Sequence, residues 1–531
     1  MTSTSEADSE KEFVSMSWIL SVLIAVSVLL SCSPAAAQGN PILPGDHPDP
    51  SIIRANGFYW ASNTSAEWAP VFPIFRSSDL RNWQTTGSVF RARPDWAVRN
   101  FWAPELVNDR GHFRVYYAAR KKDGPLCVAV ATASAPQGPY EDHGPLVCQP
   151  DGAIDPAFVR DESGKPFLIW KEDANSIHQP TKIWIQPTSE DGLHLLGSPT
   201  AILTNDAAWE GEVVEGPYIL RHGDYFYLFY AGGACCGERC SYGEGVARAR
   251  NLHGPWQKDP SNPIIATNAE WKCPGHGTLV RTASGSDYLM HHAYPQENSI
   301  FIGRESVVER VAWNAKGWPE INGGKGVPGI SRETHRITLI DDFKGPTLSP
   351  TWQWPIADGP GIRIADHSLR LAPLNTSDGD PLGAIVAQTL PSPSFRVTVE
   401  VSPGSSEALA SIAVLGSARD AVGIGIQHGA LVQWRRDHGR WVKLAVSPLP
   451  NQANVFLGIA MQGERHLNTV WSQDGKRWQS LGKILKVDSL PPWDTGLRVG
   501  LACGGNGGGF ATFQHFSLRT PDVWPAGQTT R

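Results

Sequence analysis

Through the N-terminal part of the chain one hydrophobic phrase keeps returning. A small head residue is followed by two apolar positions, a glycine-bearing turn and a strand dense in aromatic side chains. The copies read DPSIIRANGFYWASN from Asp49, APELVNDRGHFRVYYAA from Ala103, DPAFVRDESGKPFLIWKED from Asp155, EGPYILRHGDYFYLFYAGG from Glu215 and HGTLVRTASGSDYLMHHAY from His276. The heads stand 54, 52, 60 and 61 residues apart. A hairpin recurring at that period predicts a radial repeat fold with one blade per copy, hence five blades. A third-strand phrase follows the hairpin, as in FRSSDLRNW (75–83), ATASAPQGPY (131–140) and ARARNLHGPW (247–256), with SEDGLHLL (189–196) a weaker copy. Each blade therefore has three clear strands and room for a fourth. The strands alternate poorly, as expected where both faces of a blade pack against neighbours.

The repeats run to the WNAKGWP segment that begins at Trp313, and a glycine-rich linker, INGGKGVPG (321–329), follows. From Ile337 the pattern changes to period-2 strands such as FRVTVEV (395–401), with a hairpin turn at Asp474-Gly475. Short alternating strands without helical periodicity predict a β-sandwich. SQDGKRW (472–478) stands alone and reads as a β-turn. The fold predicted is all-β: a five-bladed β-propeller over 38–325, then a β-sandwich over 337–520.

Composition narrows the partners. The chain has 531 residues, 18% of them charged, with a formal net charge of −6 and no basic run, which argues against nucleic acid or an anionic membrane. Most of the 21 Trp read as blade core, but Trp is also a platform for the flat face of a sugar. The apolar run from Trp18 to Leu30 is too short for a bilayer span and reads as the core of a signal peptide over 1–37, with Ala35-Ala36-Ala37 as cleavage site. Leu30-Ser31-Cys32 offers the other route, a lipoprotein anchored through Cys32. Export permits disulfides. Cys127 and Cys148 flank neighbouring strands and are placed to pair. Cys235, Cys236, Cys240 and Cys273 cluster without the paired arms of a zinc site, and Cys503 is left over as a buried thiol.

Aligned on the apolar pair, the heads are Asp49, Ala103, Asp155, Glu215 and His276, so three carboxylates and a histidine should converge on the propeller axis. Hydrolysis of a glycosidic bond needs a protonated carboxyl for the leaving oxygen and an ionised one to activate water. The shorter Asp49 suits the base and the longer Glu215 the acid, with Asp155 raising the pKa of Glu215 by like-charge repulsion and holding it in position. Each motif alone has a plainer reading. Asp-Pro is a frequent turn opener, and Glu210 and Glu212 compete with Glu215. The shared repeat position is what selects the three.

In this order and spacing HPDPS, FWAPEL, DGAIDPAF, WEGEVVEGPY and CPGHGTLV resemble glycoside hydrolase family 43 over roughly residues 40–325. The resemblance implies a five-bladed propeller of inverting hydrolases, chiefly β-xylosidases, α-L-arabinofuranosidases and arabinanases. By motif it puts Asp49 on the general base, Asp155 on the pKa modulator and Glu215 on the general acid. It further implies that His276 helps hold a calcium ion at the axis, largely through waters, and that Trp102 lines the sugar pocket. Arg304, after the fifth hairpin, is a fixed cation suited to sugar hydroxyls or to the Asp49 carboxylate. IDDFKG (340–345) and FQHFSL (513–518) resemble the concanavalin-like sandwich appended to family 43 xylosidases, which can add a loop to the pocket rim, bind polysaccharide or brace the propeller. The partner expected is an oligosaccharide or polysaccharide. A β-galactofuranoside in place of a pentoside, and a propeller that binds carbohydrate without cleaving it, are the competing readings. Pocket depth depends on the loops AEWAPVFP (66–73) and AGGACCGERCSYG (231–243).

Overall fold

The computed structural model of the protein describes residues 39–296, 299–321, 337–357, 359–372, 382–402, 407–450, 454–462, 465–505 and 509–520. The signal-peptide and Cys32 readings, and the linker at 322–329, lie outside these residues. Five four-stranded antiparallel sheets are present among them, each in simple sequential order. Their innermost strands are Ser51–Ala55, Ala97–Asp109, Ala153–Arg160, Val214–His222 and Trp271–Arg281. Each pairs with the aromatic-rich second strand of the repeated hairpin, and the fourth strand for which the sequence left room is present in every blade.

The near-continuous apolar strands follow from packing on two faces. Tyr116 faces a cluster shared with Leu168 and Trp170 of the third blade, whereas the adjacent Tyr117 faces one shared with Trp60, Phe72 and Ile74 of the first. Further clusters join blades three and four through Phe167 and Leu228, and four and five through Phe229 and Leu289. The ring closes where Val280 and Met290 of the fifth blade meet Ile52 and Tyr59 of the first. Ile42 and Leu43 fill that seam, and both backbone N–H groups donate to Ser306 O (3.0 and 3.3 Å). Burial of these side chains is the main force holding the ring.

Among the described residues the C-terminal sandwich consists of a nine-stranded and a six-stranded antiparallel sheet. Phe395–Ser402 alternates buried and half-buried positions without a break, and its inward residues Val397, Val399 and Val401 meet Ile412, Val414 and Ile424 of the facing sheet. The turn at Asp474 is a local cap, its Oδ1 accepting the N–H groups of Lys476 and Arg477 (both 2.8 Å).

The sandwich is docked on the propeller. Trp354–Pro355 pairs with Trp68–Ala69, so the loop at 66–73 forms a docking strand and does not line the carboxylate pocket. Beside it Arg498 lies over the Trp68 ring at 4.5 Å and reaches Asp46 at 3.4 Å, both charges buried. Leu497 N–H donates to Phe301 O (2.9 Å).

Candidate active site

Asp49, Ala103, Asp155 and His276 occupy one repeat position, and all four adopt the left-handed backbone conformation, with φ of 52, 44, 53 and 57°. In blades two to five the head and the residue after it are looped out of the ladder as a bulge, which re-aims the head toward the axis. In the fourth blade the residue with this geometry is Gly216 (φ 56°), not Glu215. The register expected from sequence is therefore one residue out there: Gly216, with Ile219 and Leu220 after it, is the true equivalent. The cause is steric. A Cβ on Gly216 would stand 3.0 Å from the His276 ring and 3.2 Å from its Cα. Glu215 instead shares the preceding position with Trp102 and Ile154, and all three line one cavity.

That cavity, about 530 Å³, also takes in Asp49, Asp155, Lys171, His276, Arg304, Cys235, Cys236, Trp493 and Asp494. The trio, Trp102, His276 and Arg304 are thus brought together as the sequence predicts. Of the competing glutamates, Glu212 is exposed, and Glu210 is buried against Lys258 (2.6 Å) and accepts from Tyr230 OH (2.7 Å).

The three carboxylates have different surroundings. Asp49 Oδ1 accepts from Arg304 Nη1 (2.9 Å) and Oδ2 from Thr64 Oγ1 (2.7 Å), while its own N–H donates to His292 Nδ1 (3.1 Å). Burial pushes the Asp49 carboxyl up, but the Arg304 guanidinium, followed by His292 and His276, outweighs it and holds the group far below the usual carboxylate range. Asp155 Oδ2 accepts the Gly216 N–H (2.9 Å). Burial raises Asp155 to about 6; His276 opposes this, and repulsion from Glu215 adds to it. Glu215 Oε1 accepts from Tyr242 OH (2.8 Å) and Oε2 from Lys171 Nζ (3.0 Å). The Lys171 side chain is 1% exposed and also bonds Asp173 (2.8 Å). Burial would discharge it, but Glu215 and Asp173 keep it a cation, well above its ordinary value.

Sequence reasoning missed Lys171, His292, Thr64 and Tyr242. The first three had a signal: across the hairpin Ile154 pairs with Lys171 and Gly275 with His292, while Thr64 N–H donates to Pro48 O (3.0 Å). They are the same repeat position carried one strand outward. Tyr242 ends the loop between the second and third strands of blade four, stacked on His292 at 5.6 Å, and joins the surroundings of Asp49 to those of Glu215.

His276 Nδ1 lies 3.6 Å from Asp49 and 4.0 Å from Asp155. Calcium takes six to eight oxygen ligands as a rule, and among the described residues no three His, Cys, Asp or Glu side chains converge as a ligand set. The described side chains do not form a protein-built calcium cage.

The cysteines pair as Cys127–Cys148, Cys235–Cys236 and Cys240–Cys273. Cys503 is a buried thiol, pushed up to about 12 by burial.

Chemically, one carboxylate is held ionised by a guanidinium, and a second, longer one stands beside both an acidic neighbour and a cation. Both face one cavity with an indole wall. Residues 38–319 match glycosyl hydrolases family 43, and residues 340–519 match the β-xylosidase C-terminal concanavalin A-like domain. The chain is 28% identical over 351 residues to a β-xylosidase of Bacillus subtilis, covering 59% of this chain and 64% of that protein. It is 29% identical over 307 residues to xylosidase/arabinosidase 43B of Humicola insolens, covering 54% of this chain and 55% of that protein. The match thus spans less than two thirds of the length of these relatives. The solved xylan β-1,4-xylosidase of Bacillus halodurans C-125 superposes with a TM-score of 0.76 at 25% identity, over 91% of this chain and 99% of that one.

Proposed function

Since the chain belongs to glycosyl hydrolase family 43, we propose that it removes terminal pentose residues, β-xylosyl or α-L-arabinofuranosyl, from plant-type oligosaccharides or polysaccharides with inversion at the anomeric carbon. The observation that carries this reading is the unequal treatment of the carboxylates on one cavity wall. Asp49 is kept charged by Arg304, and its other carboxylate oxygen accepts from Thr64. Glu215 lines the same cavity and feels the charge of Asp155 beside it.

In the reaction Asp49 removes a proton from a water whose oxygen attacks the anomeric carbon on the face opposite the leaving group. The carbon–oxygen bond to the leaving sugar breaks as Glu215 gives its proton to that oxygen. The cycle ends with Asp49 protonated and Glu215 ionised, and solvent resets both. Asp155 acts through Glu215, by repulsion and by anchoring the Gly216 N–H next to it. Arg304 keeps Asp49 ionised and aimed, and Trp102 offers a flat apolar wall to the sugar ring. The names of the relatives support xylose or arabinose as the sugar. We also propose export, supported by the three disulfides among the described residues; no helix among them is long and apolar enough to cross a membrane.

A panel of aryl β-xyloside, α-L-arabinofuranoside and β-galactofuranoside tests the sugar, and proton NMR of the first-formed product tests the stereochemistry. Turnover of a pentoside with the inverted anomer appearing before mutarotation is expected. Galactofuranoside turnover alone would overturn the pentose reading, a retained anomer the role of Asp49, and no turnover of any glycoside would leave a binding propeller.

A further inference from the structure

The cavity wall beyond Glu215 is built from the loop after the second strand of blade four, and two adjacent cysteines of that loop are joined to each other. A bond between neighbours closes no loop of the chain, so it gains almost none of the chain-entropy stabilisation that makes a disulfide a brace. The loop is in any case tied elsewhere. Cys240 is bonded to Cys273, Ser241 N–H donates to Ala234 O (2.9 Å), and Lys272 Nζ donates to Glu238 O (2.5 Å). What the Cys235–Cys236 pair does supply is a compact, polarisable, apolar surface of fixed shape, half-buried and on the cavity wall. Trp493 of the sandwich domain, 64% exposed and edge-on to Trp102 at 6.4 Å, lines the same cavity. A Cβ at Gly237, the next residue of the loop, would lie 3.5 Å from Trp493 O, so the two loops adjoin.

Glu215 fixes what this surface faces. A general acid stands on the leaving-group side of the scissile bond, because the leaving oxygen takes its proton. Resting on the functional reading above, we propose that the Cys235–Cys236 disulfide is the platform for the sugar ring on the leaving-group side, with Trp493 as the adjoining wall. The ring's apolar face lies on the sulfurs, and its hydroxyl edge remains open to water. The subsite takes a second sugar ring in the chain, so the enzyme prefers a glycoside whose aglycone is itself a sugar to one whose aglycone is a small alcohol.

Two substrates isolate this contact. Xylobiose and methyl β-D-xylopyranoside both release an alkoxide that needs the same proton, and they differ in whether a second ring is present. For the full-length protein with Cys235→Ala and Cys236→Ala together, kcat/KM for xylobiose relative to the methyl glycoside should fall about tenfold, the size expected if about 50 Å² of apolar contact is lost. Trp493→Ala should lower the same ratio. An Asp49→Asn protein crystallised with xylobiose gives a readout independent of the cysteine variant's folding, and its second ring should lie in contact with the Cys235 and Cys236 sulfurs. A ratio unchanged within twofold, or a second ring seated away from the disulfide, would overturn the platform. If the unmodified protein cleaves neither glycoside while cleaving an arabinofuranoside or galactofuranoside, the choice of sugar fails, and the platform stands or falls on the Asp49→Asn complex with a disaccharide of the accepted sugar.

Discussion

At the scale of single residues, the division of labour among the carboxylates rests on which charges stand next to them. Glu215→Ala should depress hydrolysis of poor leaving groups far more than that of activated aryl glycosides, since an activated aryloxide departs without a proton. General acid catalysis is typically worth roughly 10²- to 10⁴-fold. Steady-state rates across a series of aryl leaving groups would show it as a steep dependence absent from the unmodified enzyme. The pH profile separates Asp155 from Lys171 by sign. Burial raises Asp155 to about 6, and repulsion between it and Glu215 adds to the rise. Replacing Asp155 with Asn removes the repulsion and should move the basic limb of kcat/KM down by about one pH unit. Replacing Lys171 with Met removes the cation 3.0 Å from Glu215, and the limb should move up by about the same amount. Asp49, held far below the usual carboxylate range chiefly by Arg304 against the effect of burial, should stay ionised across the profile in both variants. Two limbs moving the same way would sever the link between these groups and the acid.

At the scale of the element, the bulge in the innermost strands of blades two to five is the device that converts a repeat into a site. Asp49, Ala103, Asp155 and His276 accept the left-handed backbone that L-residues avoid, at a cost of roughly 1–2 kcal/mol each. Gly216 fills that position in blade four for lack of room beside His276. Gly216→Ala should therefore lower stability by about 1–2 kcal/mol in denaturant unfolding, and activity by more than that, because the adjacent Glu215 must shift with the strand. A fully active, equally stable Gly216→Ala protein would show that the close approach to His276 is not tight. The hairpins themselves were legible because glycine turns between aromatic-rich runs have a local cause. The register in blade four was not, because Tyr218-Ile219 and Ile219-Leu220 are equally apolar pairs, and only contact with His276 separates them.

At the scale of the molecule, the sandwich is part of the cavity. Its Trp493 and Asp494 line the wall, and Asp494 O accepts from Nη2 of the same Arg304 that bonds Asp49. The buried Asp46–Arg498 pair fastens the two domains beside this point. Removing one partner of a buried pair leaves the other charge uncompensated, typically at about 3–5 kcal/mol. Arg498→Ala should thus lower the melting temperature and also reduce kcat/KM, although Arg498 bonds Asp46 and not Asp49, Asp155 or Glu215. Calorimetry together with rates on an aryl glycoside would check both, and a loss of stability with unaltered rates would make the sandwich a brace alone.

Hydrophobic periodicity is a local property, so the chain by itself determined the five blades, the change to a sandwich after Ile337, and the head positions at Asp49, Asp155 and His276. Cys127 with Cys148 was legible for the same reason, lying on neighbouring strands of one blade. Tertiary structure decided what depends on groups far apart in sequence. Arg304 reaches Asp49 across 255 residues, and Lys171 reaches Glu215 across 44. Pairing of Trp68–Ala69 with the sandwich took the loop at 66–73 out of the pocket, and seating the sandwich brought Trp493 into it. Partner charges keep Asp49 ionised and Lys171 a cation against the effect of burial, and those partners meet only when the blades close around the axis.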